Sequence, residues 1–335
     1  MSVHDGLLLI DGIESFTSLV ADELENRWAT GAGTLDSVCY YSLVPTGKLF
    51  RPLLLLDSAQ AVGGDAAAVL PAAAGAECGH VASLIHDDII DQDDVRRGRP
   101  SVQSKYGLGE AIVAGDALIF DLFASLAECR RNGVSDRRVV AALEAVAKAG
   151  IELCRGQSLE AEFTASRCFD VGTYLQVARL KTASLFRGVC ASGAILGGGT
   201  PVQIQALGCY GESIGTAFQI HDDLLAYLSE SEVTGKPDTS DVQNGRLTLP
   251  VILAYESATP EQREQLTEAL FTALDPAQGL RRLIAITSET GAVDAATALA
   301  RSYAEEAKNA VLLLPPSPSR ERLAFFADAV IERAY

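Results

Sequence analysis

Three carboxylates, Asp87, Asp88 and Asp91, sit in the otherwise apolar run Leu84-Ile-His-Asp-Asp-Ile-Ile-Asp91. On a helix Asp87 and Asp91 share a face, where like charges one turn apart repel. The arrangement makes sense if a hard divalent cation lies between them. Mg²⁺ suits such oxygen ligands and fills its other positions with waters and substrate phosphates. The plain alternative is a solvated acidic helix end. A second pair, Asp222-Asp223, lies in Phe218-Gln-Ile-His-Asp-Asp-Leu-Leu-Ala-Tyr227, and its i+4 position is Ala226. Two such pairs on apolar helices can face each other across a helical bundle and hold several Mg²⁺ ions around a diphosphate.

Cations supply the other half of such chemistry. Lys48 and Arg51 fall in Gly47-Lys-Leu-Phe-Arg-Pro52, Arg96 and Arg97 follow the first acidic cluster, Lys181 opens Lys181-Thr-Ala-Ser184, and Lys236 follows Gly235. Each is a candidate phosphate contact, Arg as a planar fork and Lys as a point charge, although a solvated surface position is the ordinary fate of such residues. Glu77-Cys-Gly-His80 has the Glu-x-x-His spacing of di-iron bundles, which need two such motifs. None of His4, His86 or His221 has Glu three residues before it.

These groups need rigid elements to hold them. The chain has 335 residues, 48% hydrophobic and only 6% aromatic, with few alternating β-type runs. That favours an all-α protein. Helical periodicity runs over about 12–27, 50–63, 66–91, 109–131, 136–167, 171–196, 202–229 and 246–257. Thr259-Pro260-Glu-Gln262 and Asp275-Pro276-Ala-Gln278 mark two further helix starts. No linker or repeat divides 1–335, so one domain is the simplest organisation.

A net charge of −17 removes the basic stripe that nucleic-acid binding requires. The seven cysteines form no C-x-x-C pair and read as reduced, buried residues of a cytoplasmic protein. The N-terminus lacks the features of a signal peptide. The long uncharged stretch before Glu212 is broken by Gly197-Gly-Gly-Thr-Pro201, so no membrane span is expected.

In order along the chain, Gly47-Lys-x-x-Arg-Pro52, His80, Asp87-Asp-x-x-Asp91, Arg96-Arg-Gly98, Gly156-Gln157, Lys181-Thr182, Phe218-Gln219, Asp222-Asp223, Gly235-Lys236 and Ser240-Asp241 leading to Thr248-Leu-Pro250 resemble the trans-type polyprenyl diphosphate synthases over nearly the whole chain. The resemblance implies a single large helical bundle of the isoprenoid synthase type with its active site in a central cavity. It implies about three Mg²⁺ ions, held by Asp87, Asp91 and Asp222, with Asp88 and Asp223 acting less directly. It gives Lys48, Arg51, His80 and Arg97 to the diphosphate of isopentenyl diphosphate, and Arg96, Lys181 and Lys236 to that of the allylic substrate. Thr182 and Gln219 would lie beside the developing allylic cation. A homodimer is the usual family assembly.

In that family the residues four and five places before the first Asp set product length. Here they are the small Ser83 and Ala82, which argues for twenty carbons or more and favours geranylgeranyl diphosphate; Phe120 or Phe123 on the next helix would form a lower floor. Two departures stand out, Ala226 where relatives carry a third Asp and Arg246 where they carry Lys. The competing expectation is a class I terpene cyclase, which shares the fold and first acidic motif. It has no second diphosphate for Lys48, Arg51 and His80, and its second metal motif is missing around residue 222. A non-catalytic partner subunit typically loses the first motif, which this chain keeps.

Overall fold

Local signals decide where the helices begin and end. Thr259 caps a helix with its side chain accepting from Gln262 N, and Gln262 returns the bond to the Thr259 backbone, a full capping box. Asp275 caps the next by accepting from Ala277 N, and Asp65 does the same for a helix that runs to Asp91, accepting from Ala67 N.

The computed structural model describes residues 3–29, 31, 33–228 and 239–332. In chain order these form α1 (Val3–Trp28), α2 (Thr34–Leu43), α3 (Phe50–Ala61) and α4 (Ala66–Asp91), then a hairpin of β1 (Val95–Arg96) and β2 (Arg99–Pro100). There follow α5 (Val102–Tyr106), α6 (Leu108–Glu128), α7 (Asp136–Ser166), α8 (Val171–Ala178), a π-helical turn (Arg179–Ala183), α9 (Ser184–Gly197) and α10 (Pro201–Leu228). The last third is α11 (Ser240–Gln243), α12 (Leu249–Ser257), α13 (Pro260–Phe271), α14 (Pro276–Glu289), α15 (Ala292–Val311) and α16 (Pro318–Ala329). The chain is all-α, as its composition predicts, with the hairpin as the one sheet among the described residues. Helix α2 and the hairpin were not expected, and the stretch expected as one helix over 171–196 is interrupted by the π turn.

The chain gathers into two compact units. One holds the residues up to Ala147 with Gly188–Gly208 and Val311–Ala324; the other holds Lys148–Arg187, Cys209–Ala310 and the chain from Phe325 onward. In the first unit α3 is buried from Arg51 through Ala59, and α4 is buried along Pro71–Cys78. Helix α4 is long and apolar enough to cross a membrane, but 67% of that window is buried inside the protein, as befits a core helix. Arg322 of α16 reaches α3, donating to Asp57 Oδ1 from Nε at 2.8 Å and from Nη2 at 2.5 Å. Both side chains are buried. Burial pushes the Asp57 carboxyl up to about 6 even though Arg322 opposes it. The second unit is built on Tyr174 and Val177 of α8, Ile220 and Leu224 of α10, Leu249 and Ile252 of α12, and the apolar faces of α13, α14 and α15. All seven cysteines are free thiols. Cys39, Cys78, Cys129 and Cys190 are buried, but Cys154, Cys168 and Cys209 are exposed, against the expectation that these cysteines are buried.

Candidate active site

In the first unit, Gly47–Pro52 forms the entry to α3. Leu49 caps the helix at φ 51°, and Pro52 stands in the first turn, where a missing N–H leaves nothing unpaired. A helix N-terminus presents backbone N–H groups and partial positive charge, which suits an anion. Lys48 is exposed beside it, and Arg51 is buried in its first turn.

His80 on α4 stands in the field of Arg51, Arg97 and Arg96. Burial, then those three cations, hold its imidazole well below the ordinary value, so it is neutral near pH 7. Its Nδ1 is buried with no hydrogen-bond partner among the described residues. The hairpin brings in the other arginines. Its register pairs Val95 with Pro100 and Arg96 with Arg99, leaving Arg97 and Gly98 as a two-residue turn. Both have positive φ, 51° and 71°, the pattern of a type I′ hairpin turn. Arg96 donates from Nε to Asp88 Oδ1 at 2.7 Å, and its Nη2 also binds Asp88 and reaches Asp93 at 3.3 Å. Arg97 turns the other way, with Nη2 3.9 Å from Glu77 Oε1.

The three carboxylates of the first motif therefore differ. Asp88 is buried and held by Arg96; burial raises its pKa and Arg96 works against that rise. Asp87 and Asp91 are only partly buried, in the final turn of α4. Among the described residues no three His, Cys, Asp or Glu side chains form a preassembled metal cage. The donor set nonetheless fits Mg²⁺. Two carboxylates one turn apart sit at the negative end of a helix dipole, and this ion characteristically takes one or two carboxylates plus water and phosphate oxygens.

The residues assigned to product length divide. Ala82 is fully buried. Ser83 is partly buried and donates its hydroxyl to His80 O at 2.7 Å. Phe123 is partly buried, but Phe120 is 73% exposed, so within one chain it forms no floor. The α6 helix turns it outward, on the same side as Ile112 and Val113.

In the second unit, Lys181 lies in the π turn and binds Glu160 of α7 at 2.5 Å. Thr182 donates to Gln219 Oε1 at 2.6 Å. The Gln219 amide donates in turn to Asp223 Oδ1 at 2.8 Å, while Tyr174 OH donates to Asp223 Oδ2 at 2.7 Å. Asp223 is thus committed to protein partners. Burial first, then Asp241, pushes its carboxyl up to about 7. Asp222, its neighbour, is exposed on α10. Ala226 packs against the apolar core, and Arg246 reaches Asp241 at 3.4 Å. Lys236 lies outside the described residues. Sequence reasoning passed over Glu160 and Tyr174: nothing in the local pattern marks them, because their partners are distant in the chain.

The structure thus brings together Arg51, His80, Arg96 and Arg97 in one unit and Lys181, Thr182, Gln219 and Asp223 in the other. The polyprenyl synthetase family matches residues 33–286. A short chain isoprenyl diphosphate synthase from Methanothermobacter thermautotrophicus is 40% identical over 306 residues, covering 90% of this chain and 91% of that protein. A geranylgeranyl diphosphate synthase from Methanosarcina mazei is 34% identical over 330 residues, 98% of this chain and 99% of that protein. Among solved structures, the geranylgeranyl pyrophosphate synthetase from Pyrococcus horikoshii superposes with a TM-score of 0.89 at 30% identity, over 98% of this chain and 99% of that one. The fold is the all-α isoprenoid synthase fold, and the chain belongs to the polyprenyl synthetase family as a prenyltransferase.

Proposed function

We propose that the chain, as a single synthase domain, joins isopentenyl diphosphate to an allylic diphosphate and releases diphosphate, giving a product of twenty or more carbons, geranylgeranyl diphosphate first among them. The observation that carries this reading is the cationic cluster of Arg51, Arg96 and Arg97 around a neutral, partly buried His80 whose Nδ1 is enclosed, beside the N-terminus of α3, in a chain of net charge −17. A second diphosphate gives that cluster a purpose, and a cyclase has none to offer it.

Lys48, Arg51, His80 and Arg97 hold the diphosphate of isopentenyl diphosphate, and Arg96, Lys181 and Lys236 hold that of the allylic substrate. Asp87, Asp91 and Asp222 would hold Mg²⁺, which when bound would supply Lewis-acid neutralisation of the leaving diphosphate. Lys181 exchanges Glu160 for phosphate oxygens when the substrate arrives. The allylic carbon–oxygen bond ionises, and the dipoles of Thr182 and Gln219, held in place by Asp223 and Tyr174, stabilise the carbocation. The alkene of isopentenyl diphosphate attacks the cation, and the departing diphosphate takes the proton that leaves. The small Ala82 and Ser83 support the longer product, as do relatives named for geranylgeranyl diphosphate. The enzyme is cytoplasmic, a reading supported by its seven free cysteines, and acts as a homodimer, which the exposed apolar face of α6 with Leu108, Ile112, Val113 and Phe120 supports.

The test is product analysis after incubation with Mg²⁺, labelled isopentenyl diphosphate and, separately, dimethylallyl, geranyl or farnesyl diphosphate. Mg²⁺-dependent incorporation into a longer diphosphate is expected, with its length read directly. Hydrocarbon formed from the allylic substrate alone would move the protein to the cyclases.

A further inference from the structure

Glu77 is the residue that the proposed chemistry leaves unused. It lies on α4 one turn before His80, is only 2% exposed, and is one of few buried carboxylates in the first unit. Such a group is costly to ionise unless cations accompany it. Burial raises its pKa, and the two groups that act against that rise are Arg51 and Arg97. Arg96, the third arginine of the cluster, is occupied by Asp88 and Asp93.

Arg97 is held from its other side as well. A Cβ on Gly47 would lie 2.6 Å from Arg97 Nη2 and 2.8 Å from its central guanidinium carbon, so that guanidinium rests directly on the Gly47 backbone. Its own backbone has φ 51°, a conformation that L-residues with side chains adopt sparingly. A strained turn, a glycine with no room for a methyl group, and a buried carboxylate all converge on the position of one guanidinium.

We propose that Glu77 is a positioning residue for isopentenyl diphosphate: its buried carboxylate, with the Gly47 backbone opposite, holds the guanidinium group of Arg97 in place to receive the diphosphate. This rests on the reading that Arg51 and Arg97 bind that diphosphate. A flexible arginine loses rotamer freedom when it grips a phosphate, and a carboxylate that has already fixed it lowers that cost. Arg97 is assigned to isopentenyl diphosphate and not to the allylic diphosphate, so the effect of Glu77 belongs to one substrate only.

Steady-state kinetics with each substrate varied in turn would test this on wild type, Glu77→Gln, Glu77→Asp, Gly47→Ala, Arg51→Gln and Arg97→Gln. Glu77→Gln is expected to raise KM for isopentenyl diphosphate about tenfold or more while KM for the allylic diphosphate stays within about twofold. Glu77→Asp should recover part of the loss, since it restores the charge. Gly47→Ala, at a partly exposed loop position, should shift the same KM in the same direction, and it decides the matter if the Gln variant fails to fold. In the double variant with Arg97→Gln, Glu77→Gln should add less than it does alone. Unchanged KM for isopentenyl diphosphate in Glu77→Gln, or in Gly47→Ala where the former does not fold, would overturn the proposal if Arg97→Gln raises it. Equal losses toward both substrates would overturn it too. Should Arg51→Gln and Arg97→Gln leave that KM unchanged, the diphosphate assignment itself has failed, a result distinguishable from the failure of Glu77 alone.

Discussion

Asp87 and Asp88 are neighbours in the chain with separate tasks, because a helix sends adjacent side chains about 100° apart. Asp88 goes inward to Arg96, while Asp87 stays with Asp91 in the partly exposed last turn of α4. Replacing Asp87 or Asp91 by Ala should therefore lower kcat/KM about 10²-fold or more, with the melting temperature nearly unchanged. Asp88→Asn should instead cost about 2 kcal/mol of stability, read from urea unfolding, by weakening a charged hydrogen bond at a buried site. A large stability loss in Asp87→Ala would contradict this division.

His80 makes a second residue-scale prediction. Its folded pKa lies well below the ordinary 6.5, so between those values the unfolded chain binds a proton that the folded chain does not. Stability then falls as pH drops through about 6.5 and is unaffected by His80 above it. Unfolding midpoints at about pH 7.5 and 5.5 should show a smaller drop for His80→Asn than for wild type. An identical drop would mean that His80 titrates normally.

At the scale of elements, the π turn between α8 and α9 is the feature that sequence periodicity could not show. Residues 171–196 keep a helical apolar spacing through the insertion, so they read as one helix, whereas the structure places Lys181 and Thr182 within the bulge. Boundaries with chemical markers were legible: α4 ends at Asp91 as expected, Thr259 forms the full capping box its motif predicts, and Asp275 caps its helix through Ala277 N without the return bond from Gln278. The two-residue strands are too short for an alternating pattern, and Arg97-Gly98 is an uncommon pair for a type I′ turn. The pairing of Lys181 with Glu160 and of Tyr174 with Asp223 depends on packing between helices, which no local pattern encodes.

Helix α7 offers an internal control on that bulge. A Cβ on Gly156 would lie 2.3 Å from Lys181 N and 2.6 Å from its Cα, both backbone atoms that yield only if the π turn moves. At Gly150, on the same helix, nothing lies within 4 Å. Ala in place of Gly in a helix ordinarily gains about 1 kcal/mol, and Gly150→Ala should show that gain. Gly156→Ala should reverse the sign, losing about 1–3 kcal/mol by overpacking and raising KM for the allylic diphosphate as Lys181 and Thr182 are displaced. Thermal unfolding and kinetics on the two variants check both statements. Equal stabilisation by both would show that the bulge is not constrained by Gly156.

At the scale of the whole molecule, the proposed homodimer would set an apolar face against an acidic charge. Leu108, Ile112, Val113, Ile119 and Phe120 of α6 are each between 36% and 73% exposed and fall on one side of the helix. A stripe of that kind, on a helix whose other side packs against α4, suits a second copy of the chain, since a two-fold interface pairs a patch with itself. Yet each copy carries −17, so the copies repel. Apolar contact must overcome that repulsion, and salt screens only the latter, with a Debye length of about 10 Å at 0.1 M. The dimer should therefore tighten as salt rises from about 0.05 M to 0.5 M, whereas one held mainly by ion pairs would loosen. Sedimentation equilibrium across that range, on wild type and on an Ile112→Asp/Phe120→Asp double variant, reads both effects. The double variant should sediment as a monomer at every salt concentration while keeping its helical circular dichroism. A double variant that remains dimeric would move the interface away from α6, and a wild type that weakens with salt would assign the association to ion pairs.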